Sequence, residues 1–406
     1  MVQPLQQLLR HRKVLLLQGP MGRFFKKLAD WLDQHGIEYQ KINFNGGDSL
    51  FFGGPQALAY RGTLDGFSGW LAGHMTAQGF EAVLCFGDCR LYHQSAKQVC
   101  QQLGRSFFVF EEGYLRPDYI TFEQGGVNAF SPLRHQWPQV PVYPASKPHP
   151  VHSRFMLMVV SACVYYLAWI LLSWRFPHYQ HHRQLTPRQE LLAWLTSAWR
   201  RLVFRRPDQQ AMQQILRDWD GQYFIMALQV HNDSQVRVHS DYQDVVEFIQ
   251  EGMASFARSA PAQARLVIKH HPMDRGYRNY RALIAREAER LGLQSRVHYV
   301  CDVHLPSLIK HSLGLVTINS TTGLQALFHH KPVKVMGSAL YDVEGLTSGG
   351  SLDQFWVQPR QPDMALYQQF RSQLIWMSQL NGSFYGDSPW MRTALRQEAP
   401  VRPLQG

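Results

Sequence analysis

The sequence predicts an α/β protein of two doubly wound, Rossmann-like halves joined by an apolar and basic helical segment. Three observations point there. Strand-length apolar runs alternate with helical patterns over residues 1–145, the same alternation returns over residues 222–340, and the stretch between them changes in both charge and hydropathy. A chain of 406 residues has room for two or three domains, each with its own core. With 17 % charged and 13 % aromatic residues it is not a disordered chain. Its five cysteines, odd in number and without a CxxC, exclude a disulfide framework or zinc ribbon and make a reducing cytosol the expected compartment. The first apolar run, Val14 to Leu17, is strand-sized and followed by Gly19-Pro20, so no signal peptide is expected.

In the first half, Lys13–Leu17 reads as a buried strand and residues 18–22 as a turn. Phe24, Phe25, Leu28, Trp31 and Leu32 then recur at helical spacing over Arg23–His35, and Gly36 ends the helix. Glu38–Phe44 is a second strand, followed by a glycine-rich loop through Asn45-Gly46-Gly47-Asp48. Strand Ala82–Phe86, helix Leu91–Leu103 and strand Phe107–Phe110 complete the set. In the second half, strands are expected at Tyr223–Leu228, Arg265–Lys269, Val297–Val300, Leu315–Ile318 and Pro332–Met336. Helices fill Tyr242–Ala257, Tyr277–Leu291, Leu305–His311 and Thr322–His329, and a helix near Met364–Gln379 packs back on the body. The segments are therefore drawn at 1–145, 146–210, 211–345 and 346–406.

The connecting segment carries most of the charge. Residues 151–206 hold eight arginines and one acid, Glu190, which places +7 of the net +11 there. Beside them lies the most apolar window, Phe155 to Trp174, with no charged residue. A bilayer-length apolar run flanked by arginines suits an anionic membrane surface better than nucleic acid. A transmembrane span, a buried core helix and an in-plane anchor are all compatible with the composition. The anchor is favoured, because a full span would put the two halves on opposite sides of the membrane. A second helix, Pro187–Phe204, has a broad apolar face with Arg200, Arg201, Arg205 and Arg206 at its end; an interdomain hairpin with merely solvated arginines is the plainer alternative.

Candidate chemistry gathers where strands end, the place at which doubly wound folds bind ligands. Glu111 and Glu112 precede Gly113 and could supply a nucleophile or general base, with Arg116 to hold an acid ionised or to bind an anionic substrate. After Ala82–Phe86 come Asp88, which could cap the next helix, and Arg90 and His93, which would face the same crevice; Cys89 reads as packing. In the second half, Pro272 forces His271 out of helical geometry and presents its imidazole to a phosphate oxygen or leaving group, with Lys269 as a nearby cation. Ser320, Thr321 and Thr322 lead into a helix and form a phosphate cradle; an ordinary N-cap needs one of them alone. The GxGxxG, GxxxxGK[ST] and HExxH motifs are absent, and His178, His181 and His182 read as a polar hinge rather than a metal site.

Glu111-Glu112-Gly113, His271-Pro272 and Ser320-Thr321-Thr322, in that order, resemble the three motifs of CMP-sugar glycosyltransferases of GT-B fold, such as bacterial sialyltransferases. The longer stretches Leu17 to Phe25, Asn43 to Asp48, Phe86 to Arg90, Phe110 to Pro117, Asn319 to Gln325 and Gly382 to Tyr385 are similar to the capsule polysaccharide synthesis family. The related KpsC-type domains usually carry E-D-G where this chain has Glu111-Glu112-Gly113. The resemblance implies a GT-B-like pair of domains facing across a cleft, residues 1–145 holding the acceptor and catalytic loop and residues 211–345 the CMP moiety. It implies a retaining β-Kdo transferase that moves Kdo from CMP-β-Kdo to a phosphatidylglycerol-type lipid at the cytoplasmic face of the inner membrane. Glu112 would attack the anomeric carbon and Glu111 would support the loop. His271, Ser320 and Thr321 would take the CMP phosphate, Arg90 or Arg116 the Kdo carboxylate, and Gln18, Gly19, Asp88, Lys269 and Thr322 would complete the substrate site. No metal or other cofactor is implied. The partners would be a KpsC-like poly-Kdo transferase and the capsule exporter, with no nucleic acid. A non-catalytic export scaffold, or a transferase of another CMP-activated acidic sugar, is the alternative.

Overall fold

The computed structural model describes residues 2–136, 148–151, 154–181, 187–231, 236 and 240–392. Contacts divide the chain into two compact units, one of Met1–Val127, Tyr143–His182 and Leu374–Gly406, the other of Asn128–Val142 and Arg183–Gln373. The connecting segment is thus shared between the units, where the sequence reading drew it as one piece. The boundary drawn at residue 145 and the residues His182 and Arg183 lie outside the described residues.

In the first unit, β1 (Lys13–Leu16), β2 (Glu38–Asn43), β3 (Ala57–Ala59), β4 (Ala82–Phe86), β5 (Ser106–Glu112) and β6 (Tyr119–Gln124) form one sheet. The order is β3-β2-β1-β4-β5-β6, completed beyond β6 by a late strand, Gln379–Asn381. From β3 to β5 all pairs are parallel, and β6 runs antiparallel to β5. Order reverses at β1, which opens a switch point between β1 and β4. One face of the sheet buries Phe24, Phe25, Leu28, Trp31 and Leu32 of the helix Phe24–Gln34, the apolar stripe read from the sequence. The other face packs against Leu64–Gln78 and Leu91–Gln102. The first of these helices escapes a reading by propensity because Gly66, Gly69 and Gly73 lie inside it. Burial of Phe67, Leu71 and Met75 overrides that cost, Thr63 caps the start and Gly79 ends it at φ +72°.

The second unit repeats the plan with β7 (Tyr223–Ala227), β8 (Arg265–Lys269), β9 (Val297–Val300), β10 (Gly314–Thr317) and β11 (Val333–Val335). They form an all-parallel sheet in the order β11-β10-β7-β8-β9, with its switch point between β7 and β10. The chain then returns: the helix Met364–Ser378 leads into β12 (Gln379–Asn381), which pairs antiparallel with β6.

The apolar segment forms a helix, Phe155–Leu171, of 17 residues. At 1.5 Å per residue it is about 25 Å long, short of a bilayer core of about 30 Å. Among the described residues no helix is long and apolar enough to cross a membrane. It is not a buried core helix either. Ser161, Ala162, Tyr165 and Ala168 are buried, whereas Met156, Val160, Leu167, Ile170 and Leu171 are exposed, as is Trp174 just beyond the helix. Its small buried face rests on residues 45–51, which form a helix, Gly46–Phe51, where a loop was expected. Asn45 caps that helix by accepting from the Asp48 N–H at 3.0 Å. Gly46 and Gly47 are required by close approach: a Cβ on Gly47 would stand 2.5 Å from the Tyr165 ring.

The basic helix runs further than Phe204, from Pro187 to Asp218, and belongs to the second unit. Arg200 is not merely solvated, since Nη1 donates to the carbonyls of Arg275 and Arg278 at 2.6 and 2.9 Å. Buried Asp208 accepts from the N–H groups of Cys301 and Asp302, just past β9. Leu192, Leu195, Trp199 and Leu202 remain exposed, Leu202 by 78 %.

Replacing Gly47 by Ala forces the Tyr165 ring away from its seat. The variant is expected to lose about 1–3 kcal/mol of stability, as overpacked interiors do, measurable as a lower urea midpoint.

Candidate functional site

The carboxyl end of the first sheet is built around the Gln18 side chain, which is buried immediately after β1. Its Oε1 accepts from Arg90 Nη1 at 2.9 Å, and its Nε2 donates to Tyr165 Oη at 2.7 Å. Tyr165 in turn donates to Asp48 Oδ1 at 3.0 Å and accepts from Asn45 Nδ2 at 2.7 Å. Burial, with the Asp48 carboxylate alongside, holds the Tyr165 hydroxyl protonated and its pKa well above the ordinary value. Arg90 also donates to the Gly19 carbonyl at 3.3 Å and lies over the Phe86 ring. Gly19 admits no side chain there, because a Cβ would meet Phe25 at 2.7 Å.

The two glutamates are strand residues, not loop residues as expected. β5 continues through Glu112, with Glu111 paired to Thr121 and Glu112 to Ile120 of β6. Strand alternation therefore sends the two carboxylates to opposite faces. Glu111 is half-buried and its Oε1 accepts from the Glu112 N–H at 2.9 Å. Burial, with Glu112 and Asp88 as anionic neighbours, pushes its pKa up to about 7 against the pull of that N–H and Arg90. Glu112 is exposed. Behind it Gly113 leaves room for the Tyr119 carbonyl, and Thr121 Oγ1 donates to the Glu112 carbonyl at 3.0 Å. Gln379, brought back on β12, accepts from the N–H groups of Tyr114 and Leu115 and donates to Thr121 Oγ1 at 3.0 Å. The strand end that carries Glu112 is therefore clamped from the far end of the chain.

Two expectations about this rim change, those for Asp88 and His93. Asp88 does not cap the following helix; it is buried, and its Oδ2 accepts from the Val127 N–H at 3.0 Å. His93 does not face the crevice, being fully buried with Nδ1 2.6 Å from the Gly87 carbonyl, and burial drives its pKa down to about 3. Arg116 is exposed and its Nε donates to the Gly113 carbonyl at 3.1 Å. Asp48, Asn45, Tyr165 and Tyr385 were not singled out as site residues. Asp48 and Asn45 sat in a motif read as a loop, and nothing local in the sequence ties Tyr165 to them. Tyr385 follows Phe384, which packs edge-on against Phe86 at 5.1 Å, and its burial beside Glu112 raises its pKa to about 12.

In the second unit the switch point is closed by a reciprocal amide pair that sequence reading passed over. Gln229 Nε2 donates to Asn319 Oδ1 at 2.9 Å, and Gln229 Oε1 accepts from the Asn319 N–H at 3.0 Å. Ser320 Oγ accepts from the Thr322 N–H at 3.2 Å and donates to Thr322 Oγ1 at 3.0 Å, while Thr321 occupies the N-cap position without a side-chain cap. His271 is extended before Pro272, as expected, and its Nδ1 accepts from the Met273 N–H at 3.2 Å. Lys269 is not presented at the rim: it is buried, and Nζ donates to the His270 carbonyl at 2.7 Å.

Residues 81–385 match the family model described as capsule polysaccharide biosynthesis protein. The chain belongs to the capsule polysaccharide biosynthesis family. It is 44 % identical over 381 residues to the capsule polysaccharide export protein KpsS of Escherichia coli, covering 93 % of this chain and 98 % of that one. It is 43 % identical over 392 residues to the capsule polysaccharide modification protein LipB of Neisseria meningitidis serogroup B, covering 94 % of each. Among solved structures, the β-Kdo 2,7 transferase of Thermosulfurimonas dismutans KpsC aligns with 88 % of this chain and 89 % of its own, at 14 % identity and a TM-score of 0.42. A likeness at that level carries no argument. Family membership rests on the sequence matches, and the stretches Phe86 to Arg90, Glu111 to Gly113, His271-Pro272 and Ser320 to Thr322 all fall inside the matched range.

Because Glu111 titrates higher in the fold than its ordinary 4.5, its ionised form opposes folding. The penalty is absent below the ordinary value and complete once pH has risen past about 7. Glu111→Gln is therefore expected to gain stability relative to the parent on going from pH 5 to pH 8, read as the difference in urea midpoints. A pH-independent difference would contradict the burial of this carboxyl.

Proposed function

We propose that the protein is a retaining glycosyltransferase of capsule assembly that moves Kdo from CMP-β-Kdo to a phosphatidylglycerol-type lipid at the cytoplasmic face of the inner membrane. The observation that carries this reading is the exposed Glu112 carboxylate at a clamped strand end, on the unit in which Gln18 ties Arg90 to an outwardly apolar helix. Such an arrangement offers a nucleophile, a cation for an acidic sugar and an apolar surface for a lipid together.

In the reading, a Glu112 oxygen attacks the anomeric carbon, the carbon–oxygen bond to CMP breaks, and its electron pair leaves on the phosphate. The acceptor hydroxyl then attacks the same carbon, loses its proton to solvent water and displaces Glu112 as a carboxylate, so two inversions return the starting configuration. Glu111, facing the other way, fixes the Glu112 backbone. Arg90, or the more exposed Arg116, pairs with the Kdo carboxylate, while Gln18 and Gly19 hold Arg90 in place. His271 and the hydroxyls of Ser320, Thr321 and Thr322 bind the departing phosphate of CMP. Asp88 and Lys269, both buried, support their strand ends rather than touching substrate. The scheme calls on no metal. A KpsC-like poly-Kdo transferase and the capsule exporter are the partners that would take the lipid product onward. The name of the relative KpsS, an export protein, favours a second reading in which the chain is a scaffold without catalysis.

Incubation of the protein with a short-chain phosphatidylglycerol analogue, CMP and a CMP-Kdo-generating system is expected to add one Kdo to the lipid, detected by mass spectrometry. Glu112→Gln should lower the rate by on the order of 10⁴-fold and leave CMP binding unchanged. Folded protein that binds CMP yet makes no product points to another CMP-activated sugar, to be sought in a donor panel; failure to bind CMP favours the scaffold. Independently, Leu167→Glu combined with Leu171→Glu should abolish co-sedimentation with phosphatidylglycerol vesicles while the urea midpoint stays within reach of the parent's, since both side chains face outward.

A further inference from the structure

We propose that His231, held by the buried carboxylate of Asp274, is a second imidazole of the nucleotide site and is the one that meets the CMP phosphate as a cation. The inference rests on the nucleotide-sugar reading above. His231 leaves the carboxyl end of β7, the strand at which the second sheet reverses its order. Its Nδ1 lies 2.5 Å from Asp274 Oδ1. Asp274 is completely buried at the end of the short turn Pro272–Asp274, which begins directly after His271, and its N–H donates to the His271 carbonyl at 2.9 Å. A buried carboxylate requires strong donors. The Tyr280 hydroxyl reaches Asp274 only at 3.5 Å, so the His231 N–H is the short contact.

This contact fixes the proton of His231 on Nδ1. Among the described residues none takes its Nε2. When the ring is protonated, Nε2–H becomes a charged donor whose positive charge is balanced by Asp274. His271 is arranged in the opposite way. Its Nδ1 accepts from the Met273 N–H, so its neutral form carries the proton on Nε2, and charging it would break that backbone bond. One turn thus connects an imidazole whose Nδ1 accepts a backbone bond with one whose Nδ1 donates to a buried carboxylate. Tyr277 lies against the His231 ring at 5.5 Å and donates to Glu190 Oε2 on the basic helix at 2.6 Å; Tyr280 reaches the other oxygen of Asp274, and His270 lies near the same carboxylate. Arg275, next in the chain, is paired with Asp302. Among the described residues Asp274 is therefore the charged group in direct contact with His231. As the bond from sugar to phosphate breaks, the electron pair goes to the phosphate oxygen. The Nε2–H of His231 passes its proton to that oxygen and leaves a neutral ring still donating to Asp274.

Calorimetric titration of the full chain with CMP and with cytidine, each at pH 6 and pH 8, tests this without needing the sugar donor. His231→Gln is expected to weaken CMP binding about tenfold at pH 6, the loss of one charge-assisted hydrogen bond, to change it little at pH 8, and to leave cytidine binding alone. His231→Asn replaces it in the same titration if circular dichroism shows the Gln variant unfolded. Equal CMP affinity of variant and parent at pH 6, or an equal loss for cytidine, overturns the inference and leaves the nucleotide reading standing. A parent protein that binds no CMP at either pH overturns that reading and this inference with it.

Discussion

The hydroxyl of Tyr165 joins segments that lie more than a hundred residues apart in the chain. It accepts from Gln18 and Asn45 and donates to Asp48, all of them buried. Buried polar groups of this kind are costly unless every member is satisfied, and this one is satisfied only when the apolar helix is seated. Gly46 and Gly47 exist as glycines to permit that seat. Because Gln18 uses its amide nitrogen toward Tyr165, its oxygen is left to Arg90, and so the position of Arg90 depends on a helix whose outer face is apolar. Surface and chemistry are coupled within a single unit of the protein.

The second unit uses the same device with different residues. The basic helix is tied to the carboxyl-end loops through Arg200 on the carbonyls of Arg275 and Arg278, through Glu190 on Tyr277, and through Asp208 on the turn after β9. Leu192, Leu195, Leu202 and Trp199 are left outside. Each half of the connecting segment is thus secured to the rim that doubly wound sheets use for ligands. An isolated hydrophobic anchor would need none of these polar ties. Their presence is the physical reason for treating the segment as part of the sites rather than as an appendage.

Both sheets were legible in the sequence because their strands are short apolar runs and their helices carry clean stripes, as in Phe24–Gln34. What escaped depended on tertiary context. The helix Leu64–Gln78 holds three glycines and forms because Phe67, Leu71 and Met75 are buried. β6 and β12 exist because the chain turns back and returns, and no local pattern announces a strand supplied from residue 379. The same limit governed the site. Glu112 and His271 could be singled out from their neighbours in sequence. Gln18 was named through the family resemblance, but its bond to Asp48, like the role of Gln379, spans 30 to 265 residues and has no local signal. Lys269 and His93 failed as rim residues for a related reason: the direction of a side chain at a strand end or in a helix is decided by packing, not by residue type.

The account turns on Glu112 being the atom donor that meets the sugar while Glu111, one residue earlier and on the opposite face, does not. Rapid quenching of the protein with CMP-Kdo in the absence of lipid, followed by peptide mapping, tests it directly. The account predicts a mass increase of one Kdo confined to Glu112. A sugar recovered on Glu111, or lipid turnover with no adduct at any quench time, would contradict it.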